Sequence, residues 1–509
     1  MLSDLARQII EAHMTEQAGD ILVFVSGKYE IVHLPTMLYK IIYGDDTHEP
    51  AFPSDEIGDI SVFPLHAGLP MLEQATTLES ISLPPRFGKT SRKVILATNI
   101  AETSVTIPGV TIVIDSLQYK ALVWNPENES YGLLEFWVSQ AVSQQRIGRA
   151  GRTRPGVAYR MCTQTGFTEL AKHTIPSMQN SDMIQECLTV IRMKFNPLAF
   201  PFMSAPATET VARALGILTD IGAIKWSARG LELLPRGRAI SGLPVSVWGA
   251  VMILESTRLR CQDAIISLVS MIEAISTGDM LYIDDGLPDF KLRKASSIRH
   301  FGRKHGDHIQ LLNVYLAWRN AEFDGNQPEF LAKYLLNEKL LKAAHETRML
   351  IIKYMTSVEG VKTGWVPGGY PPESSQYYIH VLLALAAGSC TRVARRVPNE
   401  KMLWEAVRSG DKAELTLDGC HPAAGQDWIV YDTHQNPGPG SHELRLVTPI
   451  PLNLIILGLP TFWSKRNLGR DCPISNDIAT AITQLTDSDD AGVRQTMPCP
   501  PPPATTSPQ

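Results

Sequence analysis

Cysteine is scarce and never spaced for ligation: seven residues are scattered through 509 with no Cys-x-x-Cys pair. That excludes a zinc ribbon and a disulfide framework, and makes a reducing compartment, cytosol or nucleus, the default. Long apolar runs are missing as well. The longest, near residues 379–387, falls far short of the ~20 residues needed to cross a bilayer. The opening MLSDLARQII lacks the basic region and apolar run of a signal peptide. Positive charge is not in excess either. The formal net charge is −5, so any grip on nucleic acid has to come from local basic patches. No Gly-x-x-x-x-Gly-Lys-[Ser/Thr] loop exists in the sequence, and no Asp-Glu-Ala-His box. The string Gly88-Lys89-Thr90 imitates the loop's end, but Leu83 stands where its first glycine is required and no buried strand precedes it. It reads as solvated loop. No metal-ligand cluster and no internal repeat are legible. What is present is ordinary: 44% hydrophobic and 19% charged residues, enough for three to five domains.

Apolar spacing at Leu5, Ile9 and Ile10, with Ser3 as a cap, predicts a helix over 3–14. The run Ile21–Val25 is continuously β-branched and aromatic, as in strands buried on both faces of a parallel sheet. Similar runs recur at 62–64, 93–98 and 111–115, with helical stretches at 34–43 and 71–81 between them. This alternation predicts an α/β, doubly wound parallel sheet over residues 1–172. From 181 to about 354 the pattern turns helical, and Pro176, Pro197, Pro201, Pro206, Pro235 and Pro244 mark expected helix boundaries. Residues 364–375 read as a Pro/Gly/Ser linker, 379–465 as short strands suited to a small β-barrel, and the Pro-rich end from Asp487 as disordered.

Two stretches carry chemistry. The loop Thr98-Asn99-Ile100-Ala101-Glu102-Thr103-Ser104 leaves the carboxyl end of a buried strand, where open α/β sheets hold ligands. Its hydroxyls and amide suit phosphate or ribose oxygens; an ordinary strand-to-helix cap is the alternative. The second stretch is Gln144–Arg160, within a span from Phe136 to Thr168 that holds no acidic residue. Arg146, Arg149 and Arg152 recur every three residues and would share one side of a helix. Guanidinium groups so arranged suit a multidentate grip on phosphate oxygens. Generic nucleic-acid contact is the plainer reading.

TNIAETSVTIPGV resembles motif V, and QQRIGRAGR motif VI, of the DEAH-box ATP-dependent RNA helicases; Gln145 before the first arginine matches that branch rather than the DEAD branch. GDILVFVSGKYEI at 19–31 resembles motif IV, and PLHAGLPMLEQ at 64–74 the segment after it. Beyond the motor, 200–245 is similar to the family's winged-helix domain, HGDHIQLLNVYLAW at 305–318 to its ratchet domain, and ALAAGSCTRVAR with DWIVYD to its OB-fold barrel. The resemblance implies five regions: a second RecA-like domain at 1–172, a winged helix at 173–250, a helical ratchet at 251–360, an OB-fold at 361–470 and a disordered tail at 471–509. It implies ATP as cofactor, bound between two RecA-like domains, with Mg²⁺ held mainly by a first RecA-like domain absent from these residues. Gln145, Arg149 and Arg152 would be catalytic, the two arginines meeting the phosphates as fingers of the kind worth ~10³–10⁵ in rate. Glu102, Thr103 and Ser104 would link nucleotide and RNA sites. Ser26, Gly27, Thr98 and Asn99 would contact the RNA backbone, and Arg146 would be structural or RNA-facing. Implied partners are single-stranded RNA, the first RecA-like domain and a G-patch-type activator, with no membrane; the implied location is nuclear, also cytoplasmic. The segment 117–137 reads as two strands around Asn125–Ser130, a hairpin that the family places near the point of strand separation.

Departures are visible. Leu78 stands where relatives carry an adenine-stacking aromatic, Pro108 where they carry aspartate, and Leu117-Gln118 where Gly-Phe is usual. Without a P-loop and a carboxylate for Mg²⁺, half of an ATP site is missing from these residues, so the chain by itself is expected to hydrolyse ATP negligibly. A non-catalytic RNA-binding scaffold is the competing reading, with Arg392, Arg395, Arg396 and Trp404 as a strand-binding groove. A third, a DNA-directed winged-helix regulator, lacks a basic recognition helix: only Arg213 stands between Glu209 and Asp220.

Overall fold

The computed structural model describes residues 2–16, 19–44, 59–66, 69, 71–79, 91–103, 106–127, 130–152, 154–228, 230–276, 280–284, 287–302, 305–323, 325–357, 375–400, 402–416, 419–438, 441–463 and 478–481. Gly88–Thr90, most of the 364–375 linker and the end from Asp487 lie outside them. Two compact units emerge: 1–122 with 133–176, and 123–132 with 177–509.

The first unit follows the alternation read from the sequence: α1 Leu2–Thr15, β1 Asp20–Phe24, α2 Lys28–Tyr43, β2 Ile60–Leu65, α3 Met71–Leu78, β3 Arg92–Ala97, α4 Ile100–Thr103 and β4 Val110–Asp115. The strands β5 Gln118–Asn125 and β6 Ser130–Trp137 follow, then α5 Gln140–Ile147, β7 Val157–Arg160 and α6 Gln164–Glu169. Five strands form one all-parallel sheet in the order β2-β3-β1-β4-β7. Successive side chains of the central strands point to opposite faces. Ile21, Val23, Val94, Leu96, Ile112 and Ile114 pack with α1 and α2 on one face, while Leu22, Phe24, Ile95, Ala97 and Val113 pack with Ala101 and Ala150 on the other. Burial on both faces is why these strands are continuous apolar runs.

One local expectation changes. The helix predicted from residue 34 begins at Lys28 and carries Pro35 inside it. Arg92 and Lys93, at the start of β3, are buried. Arg92 donates to the carbonyls of Gly19 and Glu16, and Lys93 to those of Thr77 and Glu79. Burial pushes both pKa values down, against the pull of Asp20.

The second unit begins with α7 Ile184–Arg192, α8 Thr208–Asp220, the antiparallel pair β8 Ile224–Ser227 and β9 Gly230–Leu233, and α9 Pro235–Ser241. Then come α10 Val247–Leu259, α11 Gln262–Ser276, α12 Phe290–His300, α13 Asp307–Phe323, α14 Gln327–Tyr334, α15 Glu338–Ser357 and α16 Ser375–Gly388. The strands β10 Val393–Arg396, β11 Leu403–Ala406, β12 Lys412–Leu415, β13 Trp428–Gly438 and β14 Ser441–Pro449 close into a five-stranded barrel through a β10–β13 pairing, and α17 Leu452–Gly458 follows. The apolar run at 379–387, expected among short strands, is helical. It lies within α16, and its Val381, Ala384 and Leu385 join the helical core; an apolar run of that length does not by itself separate strand from helix.

The Gly-Asp-His run of the sequence is a clasp between α13 and the barrel. Gly306 has φ +115°, and a Cβ there would stand 2.3 Å from Thr448 Oγ1. Asp307 Oδ1 accepts the Cys420 amide and Oδ2 the Val447 amide, each at 2.9 Å. His308, fully buried, has Nδ1 2.9 Å from Thr448 Oγ1.

Candidate functional site

Because the five strands are parallel, their carboxyl ends share one edge, the edge at which open α/β sheets bind ligands. Ser26 and Gly27 follow β1, the loop from Thr98 follows β3, and Asp115 ends β4. Ser26 is buried, and its Oγ finds no hydrogen-bond partner among the described residues. Gly27 starts α2 without a side-chain cap, and a Cβ on it would stand 3.3 Å from the Lys120 side chain. First-turn N–H groups thus open beside an ammonium group, a combination that favours anions. Thr98 donates its N–H to Leu65 O at 3.1 Å, and Asn99 is exposed. Glu102 sits in the short α4, which Thr103 ends; the Thr103 side chain and Ser104 lie outside the described residues.

The three arginines separate in role. Helix α5 is capped at its start by Ser139, whose Oγ accepts the Val142 amide at 3.2 Å, and it ends at Ile147. A turn then carries residues 148–151. Arg149 and Arg152 therefore lie beyond the helix, and the expected common helical face does not form; glycines at 148 and 151 bracket the break.

Arg146 is the hub. With its side chain 0% exposed, it gives Nη2 to Glu102 Oε1 at 2.7 Å and Nη1 to Asp115 Oδ1 at 2.8 Å. It also donates Nε to Glu102 and Nη1 to Gln118 O, and lies 4.9 Å from the Phe24 ring centroid. Of the two roles expected for it, only the structural one fits: no face of this guanidinium is open to RNA. Its partners are 44 and 31 positions away in sequence, so the lack of acidic residues around motif VI says nothing about pairing. Asp115 escaped the sequence reading, although its signal is there: one carboxylate at the end of the otherwise uncharged VTIVI.

Arg149 is 8% exposed and donates to the Glu102 carbonyl. Burial depresses its pKa, the neighbouring Arg152 adds to that, and Glu102 opposes it. Arg152 is exposed and donates to Thr106 Oγ1 at 2.7 Å. Gln145 is exposed in the last turn of α5. Arg160 lies 4.0 Å over the Phe167 ring and bonds Ser143 and Gln144. One arginine thus ties the β3–β4 loop to the sheet, and two more stand against the same loop at the sheet's carboxyl edge.

The barrel groove read for the scaffold alternative does not present its residues that way. Trp404 is 1% exposed and belongs to the barrel core, so it offers no ring face to a base. Arg396 stacks on it at 4.5 Å and pairs with Asp427; Arg392 pairs with Asp432.

Residues 3–154 match the family described as Helicase conserved C-terminal domain. The human protein named "Probable ATP-dependent RNA helicase DHX35" is 32% identical over 354 residues, covering 68% of this chain and 47% of that protein. Mouse "ATP-dependent RNA helicase DHX33" is 32% identical over 343 residues, covering 67% of this chain and 46% of that protein. The chain spans about half the length of these curated relatives. Among the described residues no helix is long and apolar enough to cross a membrane.

Proposed function

Because the chain belongs to the DEAH-box RNA helicase family, we propose that it is the arginine-finger and RNA-gripping part of an ATP-dependent RNA helicase. One observation carries this reading: Arg149 and Arg152 stand against the β3–β4 loop at the sheet's carboxyl edge, while Arg146 takes the carboxylates of Glu102 and Asp115. In that arrangement a triphosphate offered by a P-loop lobe would meet two guanidinium groups held against a loop that Arg146 anchors. Charge on the transferred phosphoryl group is stabilised by such preplaced cations. Gln145 would orient the attacking water, and Glu102, Thr103 and Ser104 would relay occupancy between nucleotide and RNA. Ser26, Gly27, Thr98 and Asn99 would hold RNA phosphates through a hydroxyl, an amide and helix-start N–H groups.

The rest of the proposal follows the family. Residues 184–241, with two helices, an antiparallel pair and a third helix, suit a winged helix; α10 to α15 suit the ratchet, and the closed barrel suits an OB-fold. ATP with Mg²⁺ would sit mainly on a P-loop and DEAH-box lobe that is not encoded in these residues. A G-patch-type activator and a nuclear, also cytoplasmic, place of action complete the reading.

The test is reconstitution with a P-loop- and DEAH-bearing RecA lobe from a relative. RNA-stimulated phosphate release should appear only with both parts, and Arg152→Ala should lower kcat by about 10³-fold while single-stranded RNA binding stays within about twofold of the starting protein. Unchanged kcat in both Arg149→Ala and Arg152→Ala, or RNA-stimulated hydrolysis by the isolated chain, overturns the reading.

A further inference from the structure

Three side chains meet on the barrel that neither the motifs nor the helicase reading uses. Asp411 follows the turn at Gly410 and enters β12, His434 lies on β13, and His442 lies at the start of β14. In the β13–β14 ladder His434 stands opposite Leu444. Residues two apart on a strand share a face, so His442 is the diagonal neighbour of His434. His434 Nε2 and His442 Nδ1 are 3.1 Å apart. One ligating atom from each of Asp411, His434 and His442 lies within 4.8 Å of the other two. His434 is 4% exposed. Its Nδ1 and Asp411 Oδ2 are both shut off from solvent, and neither finds a hydrogen-bond partner among the described residues.

A buried carboxylate oxygen and a buried imidazole nitrogen are each costly when left unsatisfied. The unsatisfied Nδ1 is the other nitrogen of the ring whose Nε2 lies 3.1 Å from His442 Nδ1, and with Asp411 in reach of both imidazoles the cluster offers one carboxylate oxygen and two ring nitrogens to a cation. We propose that Asp411, His434 and His442 form a binding site for a divalent transition metal, with zinc the best fit. Two imidazoles and one carboxylate suit borderline metals, whereas calcium and magnesium take all-oxygen shells. Two nitrogens about 2.0–2.1 Å from a tetrahedral zinc stand roughly 3.3 Å apart, so the rings need shift only a few tenths of an ångström from their present spacing. Three protein ligands leave a fourth position for water. A bound ion would pin the start of β12 to the β13–β14 hairpin, cross-linking strands that are far apart in sequence.

The experiment uses the full chain stripped with a chelator and then titrated with zinc alone by calorimetry, and with cobalt alone by visible absorption. Saturation at one equivalent, the ligand-field bands of four-coordinate cobalt and a higher melting temperature with zinc are expected. His442→Gln and Asp411→Asn, near-isosteric changes at partly exposed residues, should each weaken zinc binding at least about 10-fold, with unaltered circular dichroism in the absence of metal. His434→Gln is the more disruptive change, so the conclusion is drawn from the other two. Lack of a stoichiometric site in the unaltered chain, or zinc affinity within about twofold of it in both variants, overturns the proposal; the latter result assigns the metal to other surface donors.

Discussion

Removing the Arg146 guanidinium would leave Asp115, 0% exposed, with only the Leu117 amide on its Oδ1 among the described residues. A buried ion whose partner is deleted typically costs about 3–5 kcal/mol, so Arg146→Met should lower the urea midpoint sharply. Arg152→Ala, at an exposed position, should shift stability by less than about 0.5 kcal/mol. The pair of measurements separates the buried, structural arginine from the exposed one proposed to meet the phosphates. His308 gives a pH signature of its own. Burial depresses its pKa from 6.5 to about 4, overriding the opposing pull of Asp432 and Asp307. The folded-state pKa lies below the unfolded one, so the neutral ring's contribution is complete above the unfolded value. It is lost as pH falls from 6.5 toward about 4, up to about 3 kcal/mol in all. Urea unfolding across that window should show the loss, and His308→Gln should flatten it.

At the scale of elements, the chain uses single polar residues to fasten helices to sheets. Asp307 at the start of α13 accepts two barrel amides, those of Cys420 and Val447. Hydrogen bonds to a charged acceptor contribute about 1.5–3 kcal/mol each, so Asp307→Ala should destabilise the second unit by roughly 3 kcal/mol or more. Hydrogen exchange supplies the local readout: protection at the Cys420 and Val447 amides should collapse, whereas that of β3 and β4 in the first unit should hold. Equal loss in both units would mean that Asp307 serves global stability rather than this clasp. The same logic explains why a helix only four residues long, α4, keeps its place, since Arg146 holds Glu102 through two nitrogens.

For the whole molecule, a formal charge of −5 means that attraction to RNA cannot come from a general field. If recognition runs through the carboxyl edge of the sheet, binding of single-stranded RNA should weaken with salt by roughly 0.7 log units per log unit for each phosphate neutralised. A handful of contacts gives a slope of about −2 to −4 on that rule. Fluorescence polarisation over a range of salt concentrations measures it, and a slope near zero would remove phosphate contact as the basis of binding.

The order of residues alone determined the parallel sheet, because a strand covered on both faces is apolar through its middle, and 21–25, 94–97 and 112–114 are. It also singled out the loop at 98–104 and the arginines at 146, 149 and 152, since phosphate chemistry needs these residue types clustered. Their division of labour was decided only in three dimensions. Glu102 and Asp115 reach Arg146 across 44 and 31 positions, a pairing that no local pattern records. The same holds for Trp404, whose aromatic ring reads as a stacking platform until the barrel closes over it. It holds again for Asp411, His434 and His442, ordinary polar residues in sequence that share a neighbourhood only because β12 and the β13–β14 hairpin come together in one barrel. Burial and long-range pairing are properties of the assembled core, and a linear sequence shows periodicity without showing which distant segment supplies the partner.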